Sequence, residues 1–97
     1  MADKFNEHAI LEEVDNYIAD TYGLHYGKGK YQATDMIIDA GHGEGFCIGN
    51  IMKYAMRCGK KDDKEKELFK IIHYAIIAIY IERLNDERNS VSKQKEL

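Results

Sequence analysis

The sequence predicts an all-α fold: a small helical domain of three to four helices with one long C-terminal helix, oligomeric through that helix. Three observations carry this. Apolar residues recur at three- and four-residue spacing through Asn6–Thr21, Thr34–Ala40, the Gly49–Arg57 stretch and Asp63–Arg88, which is the period of one helix face. Glycine-rich breaks at Gly23–Gly29 and Gly41–Gly45, and a single glycine at Gly59, separate those stretches. From Ile71 to Ile81 apolar residues then fill nearly every side of the last helix, and such a helix must be surrounded. The chain of 97 residues fits one helical domain over residues 1–88, followed by a frayed tail over 89–97.

The first helix spans Asn6–Thr21. Ile10, Leu11, Val14, Tyr17 and Ile18 form its buried stripe, with Asn6 as cap and Gly23 as stop. The acids Glu12, Glu13 and Asp15 read as a solvated face, because a metal site would require a second acidic helix opposite them. No metal and no cofactor are expected. Next comes a loop holding His25, Tyr26, Lys28, Lys30 and Tyr31 with three glycines and no acid. Its backbone N–H groups can approach a ligand closely, although its spacing is not that of a Walker A loop. A short helix over Thr34–Ala40 turns Met36, Ile37 and Ala40 inward. The Gly41–Gly45 break carries His42, a candidate ligand contact, and feeds the N-terminus of the central helix.

In the central helix, Ile48, Ile51, Met52 and Ala55 fall on one side and Asn50, Lys53, Tyr54 and Arg57 on the other. The first side is expected to pack and the second to offer donors. Gly59 stands where a left-handed C-terminal cap is expected, Lys60 and Lys61 follow, and Asp62 or Asp63 can cap the next helix. No acid occurs from Gly45 to Lys61, so an anion is the natural partner of this corner. The last helix, about 26 residues and about 39 Å long, opens with an Asp62–Glu65 capping box. It packs through Leu68, Phe69, Ile72, Ile76, Ile79 and Tyr80, with His73 and Tyr74 interrupting the apolar run. A second copy is expected to supply its missing cover.

The formal net charge of −3 argues against duplex nucleic acid as a partner. The acid-free windows Thr21–Thr34 and Gly45–Lys61 instead suit a small phosphorylated ligand. Two cysteines outside any CxxC spacing, and an N-terminus unlike a signal peptide, are expected of a reduced, cytoplasmic protein. The longest apolar run is about half a membrane span, so no membrane role is expected.

The run from Gly49 to Asp63, together with Lys70 and Tyr74 on the following helix, resembles a small phage-encoded family. That family has a G-N-x-x-K-Y-x-x-R-x-G-K-K-D core and is labelled nucleotide kinase or abortive-infection-sensitivity (SaV)-like. The chain is similar in particular to the domain in the deoxynucleoside monophosphate kinase of short-tailed phages. Asn50, Lys53, Tyr54, Arg57, Gly59, Lys60, Lys61 and Asp62 match the core, and His73 stands near the place of the family's usual tryptophan. The resemblance implies a phage protein acting in the host cytoplasm, and three functions stay open. The first is an accessory protein that binds a phosphorylated nucleotide and sequesters a host nucleotide immune signal, leaning away from enzyme activity. Lys53, Arg57, Lys60 and Lys61 would meet phosphate, Asn50 would donate, and Tyr26, Tyr31 or Tyr54 would stack on a base. The second is a deoxynucleoside monophosphate kinase, and the third a helical protein–protein interaction module acting on a host protein.

Overall fold

The computed structural model describes residues 3–25, 30–61 and 63–96, and the side chains within them except those of residues 25, 30–32 and 90–96. The chain is all-α: α1 (Glu7–His25), α2 (Lys30–Asp39), α3 (Gly43–Met56) and the long C-terminal α4 (Lys64–Glu96), with no strand among the described residues.

α1 starts after a turn in which Asp3 Oδ1 accepts the His8 N–H at 3.2 Å and Glu7 Oε1 accepts the Phe5 N–H at 2.6 Å. Asn6 supplies backbone rather than a typical cap geometry: its φ is 60° and its carbonyl accepts the Ile10 N–H. The helix continues through Gly23, where the sequence suggested a stop, to His25. Val14 and Thr21 are buried and Tyr17 and Ile18 half-buried, whereas Ile10 and Leu11 stay exposed. α2 begins earlier than its apolar spacing suggested. Ile37 and Ile38 are half-buried, and Met36, expected inward, is 71% exposed. So short a helix covers its neighbours along one edge, and Met36 lies about 100° round from Ile37.

A tight corner follows. Gly41 adopts φ 89°, and the N–H groups of Gly41 and His42 donate to the carbonyls of Ile38 and Ile37 at 3.0 Å. Gly43 then enters α3 where three helices meet: a Cβ there would lie 2.7 Å from Ile81 Cδ1 and 3.0 Å from Ile38 Cγ1. α3 and α4 run antiparallel, with Gly43 beside Ile81, Tyr54 stacked on Tyr74, and Arg57 beside Glu67.

This pairing reverses the expected faces of α3. The buried residues are Gly43, Cys47 and Tyr54, with Asn50 and Arg57 half-buried. Ile48, Met52 and Ala55, expected to pack, are exposed, Ile51 is half-buried, and Met52 reaches 59%. The polar side goes inward because α4 presents Glu67, Lys70 and Tyr74 to it, so its donors and rings are satisfied there.

Gly59 is a left-handed cap as expected, at φ 79°. The Cβ of an alanine there would meet only the flexible Lys64 Cε, at 2.9 Å, so backbone conformation dominates its cost. Gly59→Ala is expected to lower unfolding free energy by about 1–2 kcal/mol, measurable by urea denaturation. α4 is opened by Asp63, whose Oδ1 accepts the Glu65 N–H at 3.0 Å; the alternative cap, Asp62, lies outside the described residues. The helix continues past Arg88 to Glu96, 33 residues in all, or about 50 Å. Phe69 and Ile72 are half-buried, Ile81 is buried, and Leu68, Ile76, Ile79 and Tyr80 remain exposed.

Candidate functional site

The buried ring of Tyr54 is the centre of a cationic cluster. Lys53 Nζ lies 4.5 Å, Arg57 Cζ 4.7 Å and Lys70 Nζ 5.0 Å from its centroid. The electron-rich face of a phenol tolerates such cations at this range. Helical spacing explains the convergence: residues 53, 54 and 57 share one end of α3, and residue 70 lies one turn beyond Glu67 on α4. Tyr54 also stacks on Tyr74 with centroids 6.0 Å apart and planes at 18°, and Phe46 meets Tyr74 edge-on at 5.7 Å. The aromatic series continues through His73 to Tyr17 and Tyr22 on α1.

One carboxylate balances part of this charge. The Glu67 side chain is fully buried, and Arg57 Nε lies 3.3 Å from its Oε1 and donates to Oε2 at 3.4 Å. Among the described residues Oε1 accepts no hydrogen bond. The pair pins the end of α3 to the start of α4. Burial also pushes the Tyr17 phenol pKa up; the Thr21 hydroxyl opposes this and the charges of Tyr54 and Glu67 add to it. The Cys47 thiol is likewise pushed up by burial, so it stays protonated and unreactive at neutral pH.

Next to the cluster, a cavity of about 30 Å³ is lined by Thr21, Thr34, Tyr54, Lys70, His73 and Tyr74. It has room for roughly two water molecules. Thr34, His73 and Ile77 are shared with a larger groove of about 360 Å³ between α1, α2 and α4, which also has Tyr22, Ile38 and Tyr80 in its walls. The cavity is hydroxyl-lined and cationic at Lys70, and the adjoining groove is mostly apolar and aromatic with Asp35 at its wall. Its size is in the range of small-molecule sites, about 300–1,000 Å³.

The structure brings Lys53, Tyr54 and Arg57 together, but in new roles. Tyr54 is buried against Tyr74 rather than presented to a base. Arg57, which has no acid near it in α3, is met by Glu67 from the next helix. Asn50 donates to the Phe46 carbonyl of its own helix at 2.8 Å. Lys60 and Lys61 are exposed in the corner after α3, while exposed His42 stands at the opposite end of that helix. Tyr26 and Lys28 lie outside the described residues, as do the side chains of His25, Lys30 and Tyr31. Sequence reading left Glu67, Tyr17 and Thr21 out of the site. Glu67, Lys70 and Tyr74 recur at three and four along α4, a polar stripe beside an apolar run. That stripe is the signal that could have marked them. Among the described residues no three His, Cys, Asp or Glu side chains converge as metal ligands, and no helix is long and apolar enough to cross a membrane.

No curated protein matches this chain, and no solved structure does. A family model does match, over residues 21–76, a span that contains the end of α1, all of α2 and α3, and the Glu67–Tyr74 stripe. With more than half of its length covered, the chain belongs to the DUF3310 family, described as proteins of unknown function.

Proposed function

We propose that this protein binds a phosphorylated nucleotide in the cleft between α1, α2 and α4, as a homo-oligomer. The observation that carries the reading is the convergence of Lys53, Arg57 and Lys70 on the Tyr54 ring beside the cleft, which Lys70 itself lines. Cations gathered at one end of the cleft suit a phosphate, which accepts charge-assisted hydrogen bonds. The aromatic end of the cleft, with Tyr22, His73 and Tyr80, suits a base. The resemblance of the Gly49–Asp63 run to phage nucleotide-handling proteins supports the same ligand class. It also supports a setting in the host cytoplasm, where retention without turnover would sequester a nucleotide signal.

Thermal shift and calorimetry with mono-, di-, tri- and cyclic nucleotides test this. Each charge-assisted bond contributes about 1.5–3 kcal/mol, so Lys53→Ala and Lys70→Ala are each expected to weaken binding by about tenfold or more. Both variants should keep the parental helical circular dichroism. If no nucleotide raises the melting temperature of the parent, the reading falls. Incubation with a phosphate donor separates the two nucleotide readings: a phosphorylated product would assign a monophosphate kinase in place of a binder.

A further inference from the structure

Phosphate at Lys70 and a base at the aromatic end leave one group of the cleft without a task. Among the described residues, Asp35 is the one carboxylate in the walls of the cavity and of the groove beside it. Every other polar side chain there can donate a hydrogen bond: Lys70 donates only, and the threonine and tyrosine hydroxyls donate or accept. A carboxylate accepts only. It calls on a ligand for a donor, and it repels that ligand's phosphate.

The packing of α2 along α4 tells which part of a nucleotide lies nearest to it. Ile38 of α2 and Ile81 of α4 both approach Gly43. One turn earlier on each helix, Thr34 and Ile77 line the cavity and the groove together. The two helices therefore run in the same direction here. Lys70 lies about two turns before Ile77, or about 10 Å along α4, and Tyr80 lies beyond it. Asp35 follows Thr34 on the way to Ile38, so it stands between the cationic end and the far aromatic end, on the Tyr80 side of Thr34. In a nucleotide the sugar comes between phosphate and base. Of its hydroxyls the 2′ one is nearer the base, because C2′ is bonded to the carbon that carries the base.

We propose that Asp35 accepts a hydrogen bond from the sugar 2′-hydroxyl, so that the cleft selects ribonucleotides over deoxyribonucleotides. Carboxylates hold a ribose hydroxyl in this way in dinucleotide sites. The inference rests on the nucleotide reading and adds the sugar to it. For a deoxyribonucleotide Asp35 has only its repulsion of the phosphate to offer; for a ribonucleotide the charge-assisted bond outweighs that repulsion.

Calorimetry on the full chain with matched ribo- and deoxyribonucleotides of adenine, guanine, cytosine and uracil, as 5′-mono-, di- and triphosphates, tests it. The parent is expected to bind the ribonucleotide of a pair about five- to tenfold more tightly, the lower end for a charge-assisted bond because Asp35 is exposed. Asp35→Ala is expected to bring the ribonucleotide down to the affinity of its deoxy partner, and to leave the deoxy partner unchanged or slightly tighter. Alanine is the better helix former, so this variant should keep the parental circular dichroism. Asp35→Asn, which retains one acceptor oxygen without the charge, should fall between the two. Equal affinity for both members of every pair in the parent overturns the sugar contact and leaves the nucleotide reading standing. Discrimination that survives Asp35→Ala overturns the role of Asp35, and equal weakening of both sugars by that substitution does so too, by placing the carboxylate on the base. Binding of no nucleotide by the parent overturns the sugar contact and the nucleotide reading together.

Discussion

Arg57→Ala is expected to remove about 3–5 kcal/mol of stability. The substitution leaves the Glu67 carboxylate, which has no exposed surface, without the guanidinium that stands 3.3–3.4 Å away. A buried charge stripped of its hydrogen-bonded partner keeps most of its desolvation cost uncompensated. Against a total of about 5–15 kcal/mol for a native domain, such a loss brings this one close to unfolding. The Arg57→Met/Glu67→Leu double substitution is expected to be far milder, because it removes both charges and keeps volume in the core. Urea denaturation of the parent, Arg57→Ala and the double variant reads the difference directly. Equal losses in the two variants would mean that packing, rather than the charge pair, joins α3 to α4. There is a practical consequence for ligand binding: Arg57→Ala loses a ligand simply by losing its fold, whereas Lys53→Ala and Lys70→Ala leave the buried pair in place.

Gly43→Val is expected to cost about 2–3 kcal/mol, at the upper end of overpacking in a closed core. A Cβ already falls 2.7 Å from Ile81 Cδ1, 3.0 Å from Ile38 Cγ1 and 3.4 Å from Ile38 Cα. The isoleucine tips can rotate away from a single methyl, but the Ile38 backbone cannot. Branching at Cβ adds two more atoms in the same space. Gly43→Ala should therefore be much milder, because the better helix propensity of alanine, about 1 kcal/mol, offsets part of the crowding. Ile81→Val should recover stability in the Gly43→Val background while lowering it in the parent. A double-mutant cycle by urea denaturation measures that coupling, and strict additivity would sink the close-approach account.

Much of the fold was legible in the chain. Helical periodicity marked four helical stretches and the long last one, and glycine marked the breaks between them. Gly59 was identifiable as a left-handed cap because only glycine enters that region freely. The boundaries were less legible. Gly23 did not end α1, since a glycine costs a helix about 1 kcal/mol and one residue alone does not stop it. Met36 turned outward because α2 meets its neighbours along one edge only.

The candidate site was legible only in part as a set of residues and not at all as an arrangement. The motif run marked Lys53, Tyr54 and Arg57, and they do converge. It could not show that Arg57 would find an acid, because Glu67 stands ten residues on, beyond a turn, and meets it only after the chain reverses. It could not show that Tyr54 would be buried either, since Tyr74 comes from the antiparallel helix. The sequence by itself determined local matters: where the backbone is helical, where glycine lets it turn, and that α3 has one polar and one apolar side. Only the tertiary structure decided which of those sides goes inward. Amphipathicity records a contrast between two faces, and the orientation is settled by what the facing helix offers. In this chain α4 offers Glu67, Lys70 and Tyr74, so the polar side of α3 is the buried one and Ile48, Met52 and Ala55 on its apolar side stay exposed.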